Sequence, residues 1–377
     1  MPLIITPGTY VHELAQPPSI AAQPTSTVAF VGTAGKGLLD EPVEVVSWAE
    51  FEGMFGGPVA GCGLPCAVRD FFANGGSRAV VVRVDGIGVP DVRALTGTPG
   101  EGLLALERGP VVGFLAIPPP EGDDLPPPAA AEAYAWCVEH RVVLLLDGPT
   151  RWTSAATAAK ADLRVDLGVT GPNAALYWPR LVQPDPLVHG RARTGSVVGA
   201  VAGVLARTDE ARGVWTAAAG PEATLRGVDG LAVTLTDADQ SLLTPRGVNC
   251  LRHFRGGSPV VWGGRTTAAD PGWRYLPVRR LVLHIEESLL QGTRWAVFEP
   301  NVEATWSRLR TLCEAFLGDL WRRGAFIGGR PSEAFYVRCG RDTMTRADLA
   351  AGRLVVIVGV APLRPAEFVV LRLVLRP

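Results

Sequence analysis

Four small groups of residues in this 377-residue chain could do chemistry. Gly32–Gly37 (GTAGKG) follows the apolar run Thr27–Val31, where a phosphate-binding loop would sit. A P-loop needs a glycine five residues before its Gly-Lys pair and a Ser or Thr after it, so that backbone N–H groups and a hydroxyl meet the phosphates and their metal. Phe30 and Gly37 stand at those places, so the pattern fails twice and the run reads as a turn. Cys137/His140 and Cys250/His253 are two Cys-x2-His pairs that together could ligate zinc. They are far apart in sequence, and the first lies at the end of an amphipathic helix; Cys62 and Cys66 lack a second pair at ribbon spacing. Asp147 ends the run VVLLLD, at the carboxyl end of a strand where open α/β sheets bind ligands. An Asp before Gly-Pro is also an ordinary turn residue. Glu286 and Glu287 are neighbours on a helix and point apart, and Arg279, Arg280 and Arg294 around them read as partners in surface ion pairs. No G-x-S-x-G, H-E-x-x-H or G-x-G-x-x-G stands in a sound context. These residues point away from an enzyme and to no catalytic residue, cofactor or metal. The alternative kept open is an α/β nucleotide-binding protein or enzyme.

Composition narrows the classes further. Hydrophobic residues make up 47% and charged residues 19%, enough apolar material for sizeable cores. Lys+Arg 36 against Asp+Glu 37 leaves a net charge of −1, with Lys36 and Lys160 the only lysines. That balance gives no electrostatic case for nucleic acid or an anionic membrane as a partner. The start MPLIITPG lacks the basic and apolar pattern of a secretory signal, and the longest uncharged candidate span, Gly195–Ala206, is too short to cross a bilayer. The expectation is a soluble chain in a reducing cytoplasm, without direct membrane insertion and with its cysteines free.

The elements that would position any site divide the chain by texture. Residues 1–26 read as an arm: Thr9–Leu14 can form a short strand, and the stretch after it strings Pro, Ala, Gln and Ser together. Strands are expected at Thr27–Val31, Val43–Val46 and Arg78–Val84. Ser47 and Glu50 form a capping box for WAEFEGMF, and a second helix covers Leu64–Phe72. From residue 86 to 270 strands and helices alternate, the mark of a parallel or mixed sheet. Beyond it lie a helix at Val278–Leu290, a short strand at Ala296–Glu299, and a helix at Val302–Arg323 capped by Asn301, with Trp306, Leu309, Cys313, Phe316, Leu317 and Leu320 in its apolar stripe. The predicted fold is α+β / α/β, with a discontinuous domain of 27–85 plus 271–361, an inserted α/β domain of 86–270, and a terminal strand within 362–377.

That last stretch holds two apolar runs, Leu354–Val360 and Phe368–Leu375, separated by Pro362 and Pro365. In the second, Val369, Leu371, Leu373 and Leu375 fall on one face and Phe368, Val370, Arg372, Val374 and Arg376 on the other. An apolar strand cannot remain a free edge without inviting a second chain, so it is buried at home or given to a neighbour.

Read as a string, the chain resembles the contractile tail sheath family of bacteriophages and phage-like injection systems. The resemblance is carried by PGTYVHE (Pro7–Glu13), TSTVAFVGTAGKG (Thr25–Gly37), ALYWPRLVQPDP (Ala175–Pro186), YLPVRRLVLHIEESLLQGTRWAVFEPN (Tyr275–Asn301) and GRLVVIVGVAPLRPAEFVVLRL (Gly352–Leu373), in order along almost the whole chain. It implies a subunit that polymerises with itself as stacked hexameric rings around an inner tube protein, meets baseplate and tail-terminator or cap proteins, and contracts without nucleotide hydrolysis. It implies assembly in the bacterial cytoplasm as part of a phage tail or an injection particle released from the cell. A baseplate- or cap-associated sheath paralog is an alternative within the family. It also implies strand exchange between subunits, assigned here to Tyr10, Val11, His12 and Glu13 of the arm and to Phe368, Val369, Val370, Leu371 and Leu373 of the terminal strand. The Val302–Arg323 helix is the candidate tube-facing element, with Arg308, Arg322 and Arg323 available for polar contacts.

Overall fold

Segments such as Val28–Gly32 and Ala174–Trp178 are apolar at every position, the pattern of strands covered on both faces. The computed structural model describes residues 19–88, 92–254, 256–363 and 369–376, and it sets these strands inside an eight-stranded sheet. Its members are β1 (Val28–Gly32), β2 (Pro42–Val45), β3 (Ala79–Arg83), β4 (Phe114–Ala116), β5 (Val143–Asp147), β6 (Ala174–Trp178), β10 (Val248–Arg252) and β11 (Val260–Val261), in the order β11-β10-β6-β5-β4-β1-β3-β2. The inner strands run parallel, and antiparallel β2 and β11 close the two edges. Side chains alternate cleanly between the faces. Val28 and Phe30 of β1 join Val143 and Leu145 of β5 on one side; Ala29 and Val31 join Leu144 and Leu146 on the other.

Helices Leu64–Ala73 and Val198–Arg212 cover the first face, and helix Pro127–Glu139 leads the cover of the second. The first two helices touch main chain to main chain. A Cβ on Gly199 would overlap the Ala67 backbone, and one on Gly203 would overlap the Phe71 carbonyl. The Gly/Ala-rich run is therefore a close-packing face, and no helix among the described residues is long and apolar enough to cross a membrane. A small sheet of β7 (Leu181–Pro184), β8 (Ala192–Gly195) and β9 (Gly230–Leu231), in the order β8-β7-β9, sits beside them. It is tied to the Leu64–Ala73 helix through the buried Asp70 carboxylate, which accepts from Gln183 Nε2 at 2.9 Å and lies 3.9 Å from Arg193. Burial raises the Asp70 pKa above the usual carboxylate value, against the pull of Arg69 and Arg193.

β1 lies between β3 and β4, so the chain leaves it in opposite directions and creates the crevice where doubly wound sheets bind ligands. Here the chain's own backbone fills that place. Gly63 sits so close to the Pro118 and Pro119 carbonyls that a Cβ has no room. The glycine-rich loop is equally engaged: Arg83 donates to the Ala34 and Gly37 carbonyls, and the Lys36 N–H donates to Phe55 O.

The rest of the chain forms a second core. Helices Leu276–Gly292 and Glu303–Arg322 pack on a sheet of β12 (Phe335–Arg338), β13 (Leu354–Val360) and β14 (Val369–Leu375). The Leu276–Gly292 helix is a shared wall: Leu276 and Leu283 belong to the first core, and Leu281, Val282, Ile285 and Leu289 to the second. Arg280 crosses between them, donating from both terminal nitrogens to the Asp209 carboxylate (Nη1 to Oδ1, 2.8 Å) and to the Thr25 carbonyl, with its guanidinium 4.0 Å from the Phe114 ring centre.

This arrangement corrects several sequence expectations. β1, β2 and β3 belong to the same sheet as β4, β5 and β6, so the sheet runs unbroken across the boundary drawn at residues 85/86, and strand pairing outweighs the change in texture. Residues 19–26, assigned to the arm, lie along the Leu276–Gly292 helix: Ile20 packs at Gly292, and the Gln23 N–H donates to Ser288 Oγ. Arg280 is not a surface residue; its side chain is 4% exposed and that of Asp209 2%. Arg279 donates to Asn173 Oδ1 and stacks on Trp273. Ala296–Glu299 is not a strand, because a 3-10 turn, Arg294–Phe298, continues from the preceding helix. Ser47 caps its helix as expected, but Glu50 returns to the N–H of Val46 rather than to that of Ser47.

Two features of this second core give measurable expectations. Tyr336 of β12 lies directly over Gly359 of β13, its cross-strand partner, and fills the space a side chain would take. Gly359→Val should destabilise the protein by at least about 2 kcal/mol, read as a lower urea midpoint. His284 is buried beside Phe316, and burial lowers its pKa from 6.5 to about 4 despite the attraction of Asp209. An unfolded chain takes up that proton near pH 6.5 and the folded one only near 4, so stability is lost as pH falls through this window. His284→Leu should flatten the fall in urea midpoint between pH 6.5 and 4.5 by an amount worth about 2 kcal/mol.

Candidate functional site: the terminal sheet and its edge

β13 is the most apolar strand of the second core, and every residue but Ile357 is buried. β12 pairs along one of its edges, from Phe335↔Val360 to Arg338↔Ile357. β14 pairs along the other, antiparallel over seven residues from Leu354↔Leu375 to Val360↔Val369. The two faces of β14 are those expected from its alternation. Leu371 and Leu375 are buried in the core and Val369 and Leu373 pack against it, while Val370 is 56% exposed and Arg372 and Arg376 face solvent. Burying two leucines of this kind stabilises the pairing by about 3–6 kcal/mol.

The terminal strand is thus seated on its own chain's β13. Tyr10, Val11, His12, Glu13 and Phe368 lie outside the described residues. Among the described residues no further strand pairs with the outer edge of β14. The Arg294–Phe298 turn packs beside β14 and presents Phe298, 92% exposed, to solvent. Arg372 and Arg376 supply the charge that discourages indiscriminate pairing at an apolar edge.

The three arginines on the long helix are not brought together. Its expected apolar stripe is buried throughout, but Asn301 does not cap it; the Asn301 Oδ1 accepts from Trp306 Nε1 at 2.6 Å, and Val302 holds the cap position. Arg308 is 3.8 Å from Glu299 and 4.1 Å from the Trp295 ring centre. Arg322 is 3.6 Å from Asp319 and donates to the Gly318 carbonyl, and Arg323 lies over Trp215. Fourteen residues separate Arg308 from Arg322, about 21 Å of helix at 1.5 Å per residue. They share one side of the helix as a row of separate cations.

The places read for small-molecule chemistry are structural. Cys137 and Cys250 are each buried in the apolar cluster on the second face of the large sheet, and burial pushes the Cys250 thiol up to about 12. No group of three or more His, Cys, Asp or Glu that could hold a metal occurs among the described residues. Asp147 Oδ1 accepts from the Val197 N–H at 2.7 Å at the start of the Val198–Arg212 helix. Two structural residues escaped the sequence reading although each carried a signal. A glycine inside the strand LVVIVGV marks a close approach, here by Tyr336. An arginine among the leucines of the Leu276–Gly292 helix marks a buried partner, here Asp209.

Residues 126–267 match the phage tail sheath protein central domain and residues 268–376 the phage tail sheath C-terminal domain, together well over half of the chain. The helical sheath of the anti-feeding prophage in its contracted state is similar over 98% of this chain and 99% of that one, at 31% identity and a TM-score of 0.77. The sheath complex of the extracellular contractile injection system PVC, also contracted, matches over 99% of this chain and 98% of its own, at 26% identity and a TM-score of 0.75. A prophage major tail sheath protein of Pseudomonas aeruginosa is 25% identical over 237 residues, 60% of this chain and 56% of that protein. The chain thus spans about half the length of that curated relative. The domain matches and the full-length likeness agree, and the chain belongs to the phage tail sheath protein family.

Proposed function

We propose that this chain is the structural subunit of a contractile tail sheath. It polymerises with copies of itself as stacked six-membered rings around an inner tube, and contraction of the polymer drives the tube through a target envelope. The observation that carries this reading is the similarity to the anti-feeding prophage sheath, 31% identical over 98% of the chain. The family is one of structural sheath proteins, and the chain is not an enzyme. A closed crevice at the sheet's switch point and a glycine loop bound to its own neighbours accord with that. The work of contraction then comes from repacking of subunits between two arrangements.

In this reading the subunits are coupled by strands. The arm at Tyr10–Glu13 and the strand at 368–375 each add to a sheet of a neighbouring subunit, where main-chain hydrogen bonds give the connection and alternate aliphatic side chains give the register. The apolar face of β14 and the buried slot along β13 support this assignment. Arg308, Arg322 and Arg323 face the inner tube, and the ends of the polymer meet baseplate and terminator or cap proteins. Assembly takes place in the bacterial cytoplasm, and the product is a phage tail or a tail-like injection particle.

Electron micrographs of the purified protein should show rings or long tubes; monodisperse single subunits under all assembly conditions would refute the reading. Deleting Met1–Ala15 should leave soluble subunits that no longer polymerise, measured by sedimentation. Reversing all three charges at Arg308, Arg322 and Arg323 to Glu should abolish co-sedimentation with the inner tube and leave subunit folding unchanged by circular dichroism.

A further inference from the structure

β13 has both edges occupied within one chain, by β12 and by β14. Without β14, seven consecutive residues reading LVVIVGV would present an unpaired apolar edge, and the pockets that hold Leu371 and Leu375 would open to water. Such an edge pairs with whatever extended chain it meets. A subunit kept ready for assembly cannot carry it open.

We propose that the free subunit is self-capped: its own β14 holds the acceptor slot on β13, and assembly replaces that strand by the β14 of a second copy. The proposal rests on the reading that β14 is donated between subunits. The slot is selective for this partner, because it matches seven backbone pairs in antiparallel register and takes aliphatic side chains at alternate positions. A strand of identical sequence makes the same contacts in either place, as in domain swapping. The exchange is then nearly neutral in contacts, and its direction is set by the other surfaces that subunits bury on stacking and by effective concentration. Its rate is set by peeling β14 from the core. Self-capping therefore keeps subunits apart until a growing polymer end presents a strand, and it makes spontaneous nucleation slow.

The test is a cysteine pair across the register. Ile357→Cys and Arg372→Cys face each other on the outer side of the sheet, at the separation of opposed antiparallel residues, within reach of a disulfide. The six native cysteines are buried. Val355→Cys with Val374→Cys is an independent pair on the same face, should the first fail to fold. Oxidised as free subunits, the full-length variants should give almost only monomer on a denaturing gel, with an intrachain disulfide and loss of free thiol. Oxidised after assembly, the same variants should give a ladder of covalently joined chains. Subunits oxidised before assembly should fail to polymerise and should recover on reduction. A ladder from assembled protein with no intrachain bond in free subunits for either pair would overturn self-capping and leave strand donation standing. Intrachain bonds alone in both states would overturn donation and self-capping together.

Discussion

Charges are tolerated in an apolar core only as a satisfied pair, and Arg280 and Asp209 stand where the two cores of this protein meet. The pair joins the Leu276–Gly292 helix to the Val198–Arg212 helix, and Arg280 also holds the Thr25 carbonyl, just before the first strand of the large sheet. Three distant parts of the chain thus depend on one guanidinium. Removing either partner would strand the other charge in a region with almost no water. The pair, together with the shared Leu276–Gly292 helix, ties the two cores to each other.

Much of this was legible in the sequence, for reasons of periodicity. β1 at Val28–Gly32 lies where the apolar run Thr27–Val31 predicts a strand, and the faces of β14 follow the alternation of Leu371 and Leu375 with Val370 and Arg372. The helical stripe from Trp306 to Leu320 is buried as its spacing implies. Local patterns report what each element buries. They do not report which strands share a sheet, so texture alone does not place β1 to β3 beside β4, β5 and β6. Arg280 follows the same rule: its place among leucines marks a buried charge, but its partner Asp209 lies 71 positions away and local pattern does not name it. The family resemblance succeeded where periodicity could not, because ordered blocks along a whole chain carry information about topology.

A polymer that must contract needs strong connections between subunits and changeable packing between them. The large sheet is poorly suited to change, with both faces covered and its edges closed by antiparallel strands. The terminal sheet is different. It is narrow, its last strand follows a proline-bearing connection, and its outer edge carries exposed valines and arginines. In the proposed sheath this division leaves rigidity to the body and exchange to the periphery.

The contact between the Leu64–Ala73 and Val198–Arg212 helices adds a mechanical consequence. At Gly199 and Gly203 the two helices meet with no side chain interposed, so there are no rotamers to shift and little free volume to compress. Side-chain interfaces yield under load by repacking; a main-chain contact of this kind transmits it with little compliance. A force applied across these two helices would be passed on almost undiminished, and deformation of the body would fall on its side-chain interfaces instead.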